Sequence, residues 1–431
     1  MKLLAVGDMH LGRVPVALPP GLVDAARSLG PETAWQRCVD TAISLKVEAV
    51  LLAGDVVDRE RDFFAGYASL KSGIETLLEH DIRVIAIAGN HDTEVLPRLA
   101  DALPGLELLG RGGEWQSLAL STGSVLGWSF PQRRVTRSPL ESFPQHHAAR
   151  PVLGLLHCDR DQPDSAYAPV RTGDLEAAAV DAWLLGHVHR PDLAPDLLDG
   201  PDSHDSTSRR HTVARTGGYL GSVSALRASE TGARGPWLIE VDGQTIQARQ
   251  IALAPLAYDA LTLDVGDLDQ PGDLDGAMLA AARLRIARRI DVDSLPDALG
   301  LRFRLVGRHS LAREIAETAQ RTLEQQMVFE ESGCQVFLDK VESAISVPLD
   351  LGALANQPDP AGAIARDLLL LGGPDCDERR RFVAEARSRM QAAVEITELQ
   401  PVATEISIDQ AADRLIRIGH AALSRLLETR R

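Results

Sequence analysis

Short apolar runs, each stopped by glycine or a polar residue, punctuate the first part of the chain. Leu3–Val6 precedes Gly7-Asp8-Met9-His10, and Ala49–Ala53 precedes Gly54-Asp55-Val56-Val57-Asp58. Val84–Ala88 precedes Gly89-Asn90-His91-Asp92, Val152–Leu156 precedes His157, and Ala182–Leu185 precedes Gly186-His187-Val188-His189. Runs of this length read as strands buried on both faces. Helical spacing lies between them, with Trp35, Val39, Ala42, Ile43 and Lys46 on one face and Tyr67, Leu70, Ile74 and Leu77 on another. Alternating strands and helices predict a layered α/β fold, β-sheets flanked by helices. Such sheets bind ligands at the carboxyl ends of their strands. Every polar cluster here falls at such an end, so Asp8 and His189 are expected to meet in one site.

Farther along the pattern changes. Residues 199–211 are polar and read as a surface insertion. Strand-like segments at Val213–Thr216, Trp237–Val241 and Thr245–Leu253 then close a first domain over residues 1–254. Beyond it, Tyr258–Val265 and Leu301–Val306 look like strands, and helical patterns appear between them and across Leu311–Leu323, 378–393 and 409–428. In the last of these Leu415, Ile418, Ala422 and Leu426 form an apolar face. Residues 255–431 are therefore expected to build a smaller α+β domain.

The strand-end residues carry the chemistry. Positions i and i+2 of an extended segment point the same way, so Asp8 and His10 can share one ion, and His187 and His189 repeat that spacing. A carboxylate has two oxygens, which makes Asp55 the candidate bridge between two cations. Asn90 adds an amide oxygen and His157 another imidazole. Two carboxylates, one amide and four imidazoles are too many for one ion and suit a pair sharing a bridge. Mixed nitrogen and oxygen ligation favours manganese, iron or zinc over magnesium or calcium. The expected reaction is in-line attack of a metal-activated hydroxide on a phosphate ester. His91 is not needed as a ligand and is suited to protonating the leaving oxygen or contacting the phosphate, with Asp92 orienting its ring. Asp58 is expected to hold a ligand histidine in its metal-binding tautomer. Arg13 and Arg190 flank ligand motifs and are candidates for binding phosphate. A lone Asp or His at a strand end is ordinarily a turn residue. Five clusters with complementary ligand types are a different matter.

Composition narrows the setting. The chain has 431 residues, 45% hydrophobic and 25% charged, which suits two or three globular domains. No apolar run approaches a bilayer span, and Leu3–Val6 is too short for a signal peptide. The four cysteines (Cys38, Cys158, Cys334, Cys376) show no close pairing, so free thiols in the cytoplasm are expected. A net charge of −16 argues against loose, sequence-independent adhesion to DNA, whose affinity comes mostly from released counterions. Bound divalent ions, or the basic surface of a partner, would offset it.

The motifs GDMH (7–10), GDVVD (54–58), GNHD (89–92), His157 within LLHCD, and GHVH (186–189) resemble the calcineurin-like metallophosphoesterase superfamily. HLGR (10–13), GHVHRP (186–191) and the 215–243 segment are similar to its DNA-repair exonuclease branch, the SbcD and YhaO type. That branch typically shows Tyr-Pro-Gly-Ser in this segment, followed by a Glu-x-Gly and a hydrophobic strand, and here Leu220 stands in place of the proline. The resemblance implies manganese-dependent cleavage of DNA phosphodiesters, by an exo- or endonuclease. It also implies a partner ATPase of the SMC-like class docking on C-terminal helices, with 255–431 acting as a capping or partner-binding domain. A homodimer is left open. Two other readings compete: a phosphodiesterase or phosphatase for a nucleotide or other small ester, which the acidic charge favours, and a non-catalytic adaptor, which the complete ligand set disfavours.

Overall fold

A computed structural model of the chain describes residues 1–144, 149–193, 210–292, 295–394 and 407–428. The polar segment expected as an insertion lies, through residue 209, outside the described residues. Strands are β1 (Lys2–Val6), β2 (Ala49–Ala53), β3 (Arg83–Ile87), β4 (Leu106–Leu108), β5 (Trp115–Ala119), β6 (Ser124–Trp128), β7 (Val152–His157) and β8 (Ala182–Gly186). They continue as β9 (His211–Thr212), β10 (Gly218–Tyr219), β11 (Trp237–Asp242), β12 (Thr245–Gln250), β13 (Leu256–Asp264), β14 (Ala298–Val306), β15 (Val328–Glu331) and β16 (Cys334–Ser343). Helices are α1 (Pro31–Leu45), α2 (Phe63–Leu78), α3 (Val95–Ala102), α4 (Thr172–Ala177), α5 (Leu274–Asp291), α6 (Ala312–Glu324), α7 (Leu351–Ala355), α8 (Pro360–Gly372), α9 (Asp377–Val394) and α10 (Ile408–Glu428).

The chain divides into two compact units. The first takes residues 1–263, 275–304 and 319–342, and the second 264–274, 305–318 and 343–431.

The first unit is built on two facing sheets, ordered β4-β3-β2-β1-β11-β12-β9 and β10-β8-β7-β6-β5. Side chains alternate along each strand, and that alternation makes the layers. Leu3, Ala5, Leu51, Ile85 and Ile87 of one sheet meet Val125, Leu153, Leu155 and Leu184 of the other. On the outer face of the first sheet, Leu4, Val6, Val50, Leu52 and Val84 pack against Trp35, Val39, Leu70, Ile74 and Leu99 of α1–α3. Leu126, Trp128, Leu156, Trp183 and Leu185 cover the far face of the second sheet with Leu175 of α4. Helices and sheets thus stack in four layers, the architecture that the apolar runs predict. The expected strand Val213–Thr216 is displaced: pairing with β12 is made at His211 and Thr212, and Val213 keeps one further backbone hydrogen bond, to Ile246. The first unit also holds most of a four-stranded sheet, β13-β14-β16-β15, where Tyr258, Ala298 and Phe337 pack with Leu22, Leu29 and Ala225.

In the second unit α8, α9 and α10 pack together. Leu371 and Val383 bury Ala411 and Ala412, while Ala361, Ala365 and Leu368 bury Leu423. The buried face of α10 therefore runs through Ala411, Ala412 and Leu423, and Ile418 of the expected face is 61% exposed.

Candidate metal centre

Strands β1, β2 and β3 are parallel neighbours, as are β7 and β8 in the facing sheet, so their carboxyl ends lie side by side. Asp8 and His10 follow β1, Asp55 follows β2, Asn90 follows β3, His157 ends β7, and His187 and His189 follow β8. Contacts across the two sheets join these ends. His157 Nδ1 lies 3.0 Å from the Ala53 carbonyl, and the His187 amide donates to Asp8 Oδ1 at 2.9 Å. Glycine permits the approach: a Cβ on Gly186 would collide with the Ala53 carbonyl oxygen, and one on Gly89 with the Asp55 carboxylate. The backbone is bent sharply where the ligand candidates sit. Asp8, His10, Asp55 and His187 have φ of 37°, 52°, 49° and 98°. Side-chain-bearing residues rarely adopt such values, and strain of this kind collects at functional sites.

Each of the four imidazoles has one nitrogen held by an acceptor outside the centre. For His10 it is Nδ1, 3.1 Å from Asp58 Oδ1, and for His189 it is Nδ1, 2.8 Å from Glu230 Oε1. For His157 it is Nδ1 on the Ala53 carbonyl, and for His187 it is Nε2, 3.2 Å from Asp159 Oδ1. These partners assign the tautomers, leaving a lone pair on every other ring nitrogen. The lone pairs face one another. His10 Nε2 and His189 Nε2 are 3.3 Å apart, and Asn90 Oδ1 is 3.0 Å from both His157 Nε2 and His187 Nδ1. Asp55 Oδ2 lies between the two groups, 3.8 Å from His10 Nε2 and 3.5 Å from His157 Nε2. Asp8, His10 and His189 form one constellation able to hold an ion, and Asp55, His157 and His187 another.

Asp8, His157, Asp55 and His10 are all buried. Burial opposes charge on His157, yet the Asp55 and Asp8 carboxylates raise its pKa to about 9. His10 is raised too, where its hydrogen bond to Asp58 and the field of Asp55 outweigh burial. Asp55 is driven well below the usual carboxylate range by the His157 and His10 imidazoles, against its own burial. The centre attracts positive charge, and its converging nitrogen and oxygen donors suit divalent cations.

Of the remaining candidates, one does not make the contact expected of it. Asp58 meets His10, as expected of it, and also lies 3.7 Å from Arg13 Nη1. Arg190 is exposed. His91 Nδ1 lies 3.1 Å from the Asp58 carbonyl oxygen, with its side chain 40% exposed. Asp92 does not orient that ring. Its carboxylate is fully buried and accepts from the amides of Gly89 at 2.7 Å and Val56 at 2.6 Å. It thus ties the Asn90 loop to the Asp55 loop, and burial together with Asp55 pushes its pKa up to about 7. Asp159 and Glu230 went unassigned in the sequence. Asp159 follows His157 by two residues, a spacing that could have marked it, and Glu230 belongs to the Glu-x-Gly element already noted.

Residues 1–191 match the calcineurin-like phosphoesterase family. The chain is 25% identical over 240 residues to the uncharacterized metallophosphoesterase YhaO of Bacillus subtilis, covering 53% of each chain. It is 26% identical over 285 residues to the DNA double-strand break repair protein Mre11 of Aeropyrum pernix, covering 62% of this chain and 64% of that one. The Mre11 of Haloferax volcanii is 25% identical over 281 residues, 60% of this chain and 54% of that one. The chain thus spans between half and two thirds of the length of these relatives.

Proposed function

We infer, on the premise that residues 1–191 form a calcineurin-like phosphoesterase domain, that the chain is a two-metal phosphodiesterase acting on DNA. The observation that carries the reading is Asp55 Oδ2, set between two groups of inward-facing lone pairs. In this reading Asp8, His10 and His189 hold one ion, Asn90, His157 and His187 hold the other, and Asp55 serves both. Two such cations, manganese being the best match to the donors, would supply charge for phosphoryl oxygens and acidify a bound water.

The chain's own residues do the rest. Asp58 and the Ala53 carbonyl fix His10 and His157 so that neither ring turns its N–H toward the centre. His91, with Nδ1 occupied by the Asp58 carbonyl, has Nε2 left to deliver a proton to the leaving oxygen. Asp92 holds the two loops in register. Arg13 and Arg190 are proposed to meet flanking phosphates.

Support for DNA as substrate comes from the two relatives named for double-strand break repair. The catalytic domain is assigned to 1–254 and partner binding, to an SMC-like ATPase in the cytoplasm, to 255–431. A second reading, hydrolysis of a nucleotide or other small ester, is favoured by the net charge of −16. Manganese-loaded protein assayed on labelled single- and double-stranded DNA and on bis-p-nitrophenyl phosphate separates the two. DNA cleavage absent from the Asp55→Ala variant is expected. Hydrolysis of the small ester with DNA left intact, with and without the ATPase, would favour the second reading.

A further inference from the structure

One short segment holds His189 from two sides. Glu230 Oε1 lies 2.8 Å from its Nδ1, and the Arg234 guanidinium donates to its carbonyl oxygen. Both groups are enclosed: Arg234 is 3% exposed and the Glu230 side chain 11%. The second Glu230 oxygen accepts from the Leu226 amide at 2.9 Å and the Ser222 hydroxyl at 3.3 Å, so the carboxylate is fixed at both ends. The backbone adds its own ties, with the Ser222 amide on the His189 carbonyl and the Gly232 amide on the Tyr258 carbonyl. Across the centre Asp159 stands in the same relation to His187. One of its oxygens is 3.2 Å from Nε2 and the other accepts from the Ser165 hydroxyl.

An imidazole that gives its N–H to a carboxylate presents the opposite nitrogen as a basic lone pair of fixed direction. We propose that Glu230 and Asp159 are positioning residues with divided duties. Glu230, together with Arg234, sets His189 and through it one ion site, while Asp159 sets His187 and through it the other. The proposal rests on the two-ion reading above. Its basis is that the exposed nitrogens enter different groups: His189 Nε2 is 3.3 Å from His10 Nε2, whereas His187 Nδ1 is 3.0 Å from Asn90 Oδ1. A carboxylate present only for packing would not distinguish one ion from the other.

Calorimetric titration of the metal-free full chain with manganese tests this. The wild type is expected to show two binding events, with His189→Ala and His187→Ala abolishing one each and so identifying them. Glu230→Ala should weaken the His189 event by ~10–100-fold and leave the other unmoved, and Asp159→Ala should do the converse. Glu230→Gln and Asp159→Asn keep an acceptor oxygen and should weaken the same respective events by less, which preserves the test if an alanine variant does not fold. A wild type that takes up fewer than two ions would sink the two-ion reading itself. Two events in the wild type, with both carboxylate variants shifting the same event or neither, would overturn the division of duties alone.

Discussion

His91 lies close enough to His10 and Asp55 to share an ion with them, but it differs from its histidine neighbours in one respect, on which its proposed role rests. The four ligand candidates each aim a lone pair at another acceptor, whereas His91 sits with a 40% exposed side chain and one nitrogen on a backbone carbonyl. His91→Ala is therefore expected to keep both equivalents of metal while turnover falls by ~10²–10⁴-fold. Elemental analysis beside a kinetic assay reads both quantities, and loss of metal in this variant would make His91 a ligand instead. At this scale the sequence was legible wherever a ligand lay next to the end of an apolar run. Seven ligand candidates could be named because strand ends and i, i+2 spacing leave a mark, and the structure brings them together. Glu230 was not, because its Glu-x-Gly element served only as a family likeness and nothing in the sequence tied it to His189. Asp92 was misplaced for a related reason: adjacency to His91 suggested a contact, but its buried carboxylate answers the Gly89 and Val56 amides.

Elements with clean patterning were read well. The five apolar runs became β1, β2, β3, β7 and β8 with ends shifted by a residue at most. Strand β5 escaped because Trp115–Ala119 is largely exposed, and β6, although buried, because Ser124 and Gly127 leave only Val125-Leu126 as an uninterrupted apolar run. Helix α8 escaped because its four consecutive leucines, Leu368–Leu371, blur the helical period, although Asp359 caps it and Pro360 opens it. The face of α10 was assigned through Leu415, Ile418, Ala422 and Leu426, and glycine was overlooked. A Cβ on Gly419 would lie 2.8 Å from the Leu368 side chain, so this glycine is where α8 and α10 approach. Gly419→Leu should force the two helices apart and cost about 1–3 kcal/mol, measurable as a lower urea midpoint. An unchanged midpoint would show that the helices do not depend on that approach.

At the scale of the whole molecule, one design follows from strand direction. Parallel strands in two facing sheets bring their carboxyl ends to one place, so a chain segment as early as Asp8 and one as late as Glu230 share a centre. Periodicity alone could predict this, since it needs only the order of elements and the rule that such sheets bind at that edge. The division of the rest of the chain was less legible. Strands β13, β14 and β16 pair across long sequence separations, and their partners are not written in local pattern. The acidic balance of the chain, −16 overall, opposes the approach of a polyanion, so the proposed cations would have to offset it.

The most direct test of the central claim is the manganese content of the wild type and of Asp55→Ala after loading and exhaustive dialysis, measured by elemental analysis. Two equivalents in the wild type and near none in the variant are predicted, because a carboxylate shared by both ions cannot be lost from one site alone. Two equivalents retained by Asp55→Ala would contradict the bridged pair on which the proposed chemistry depends.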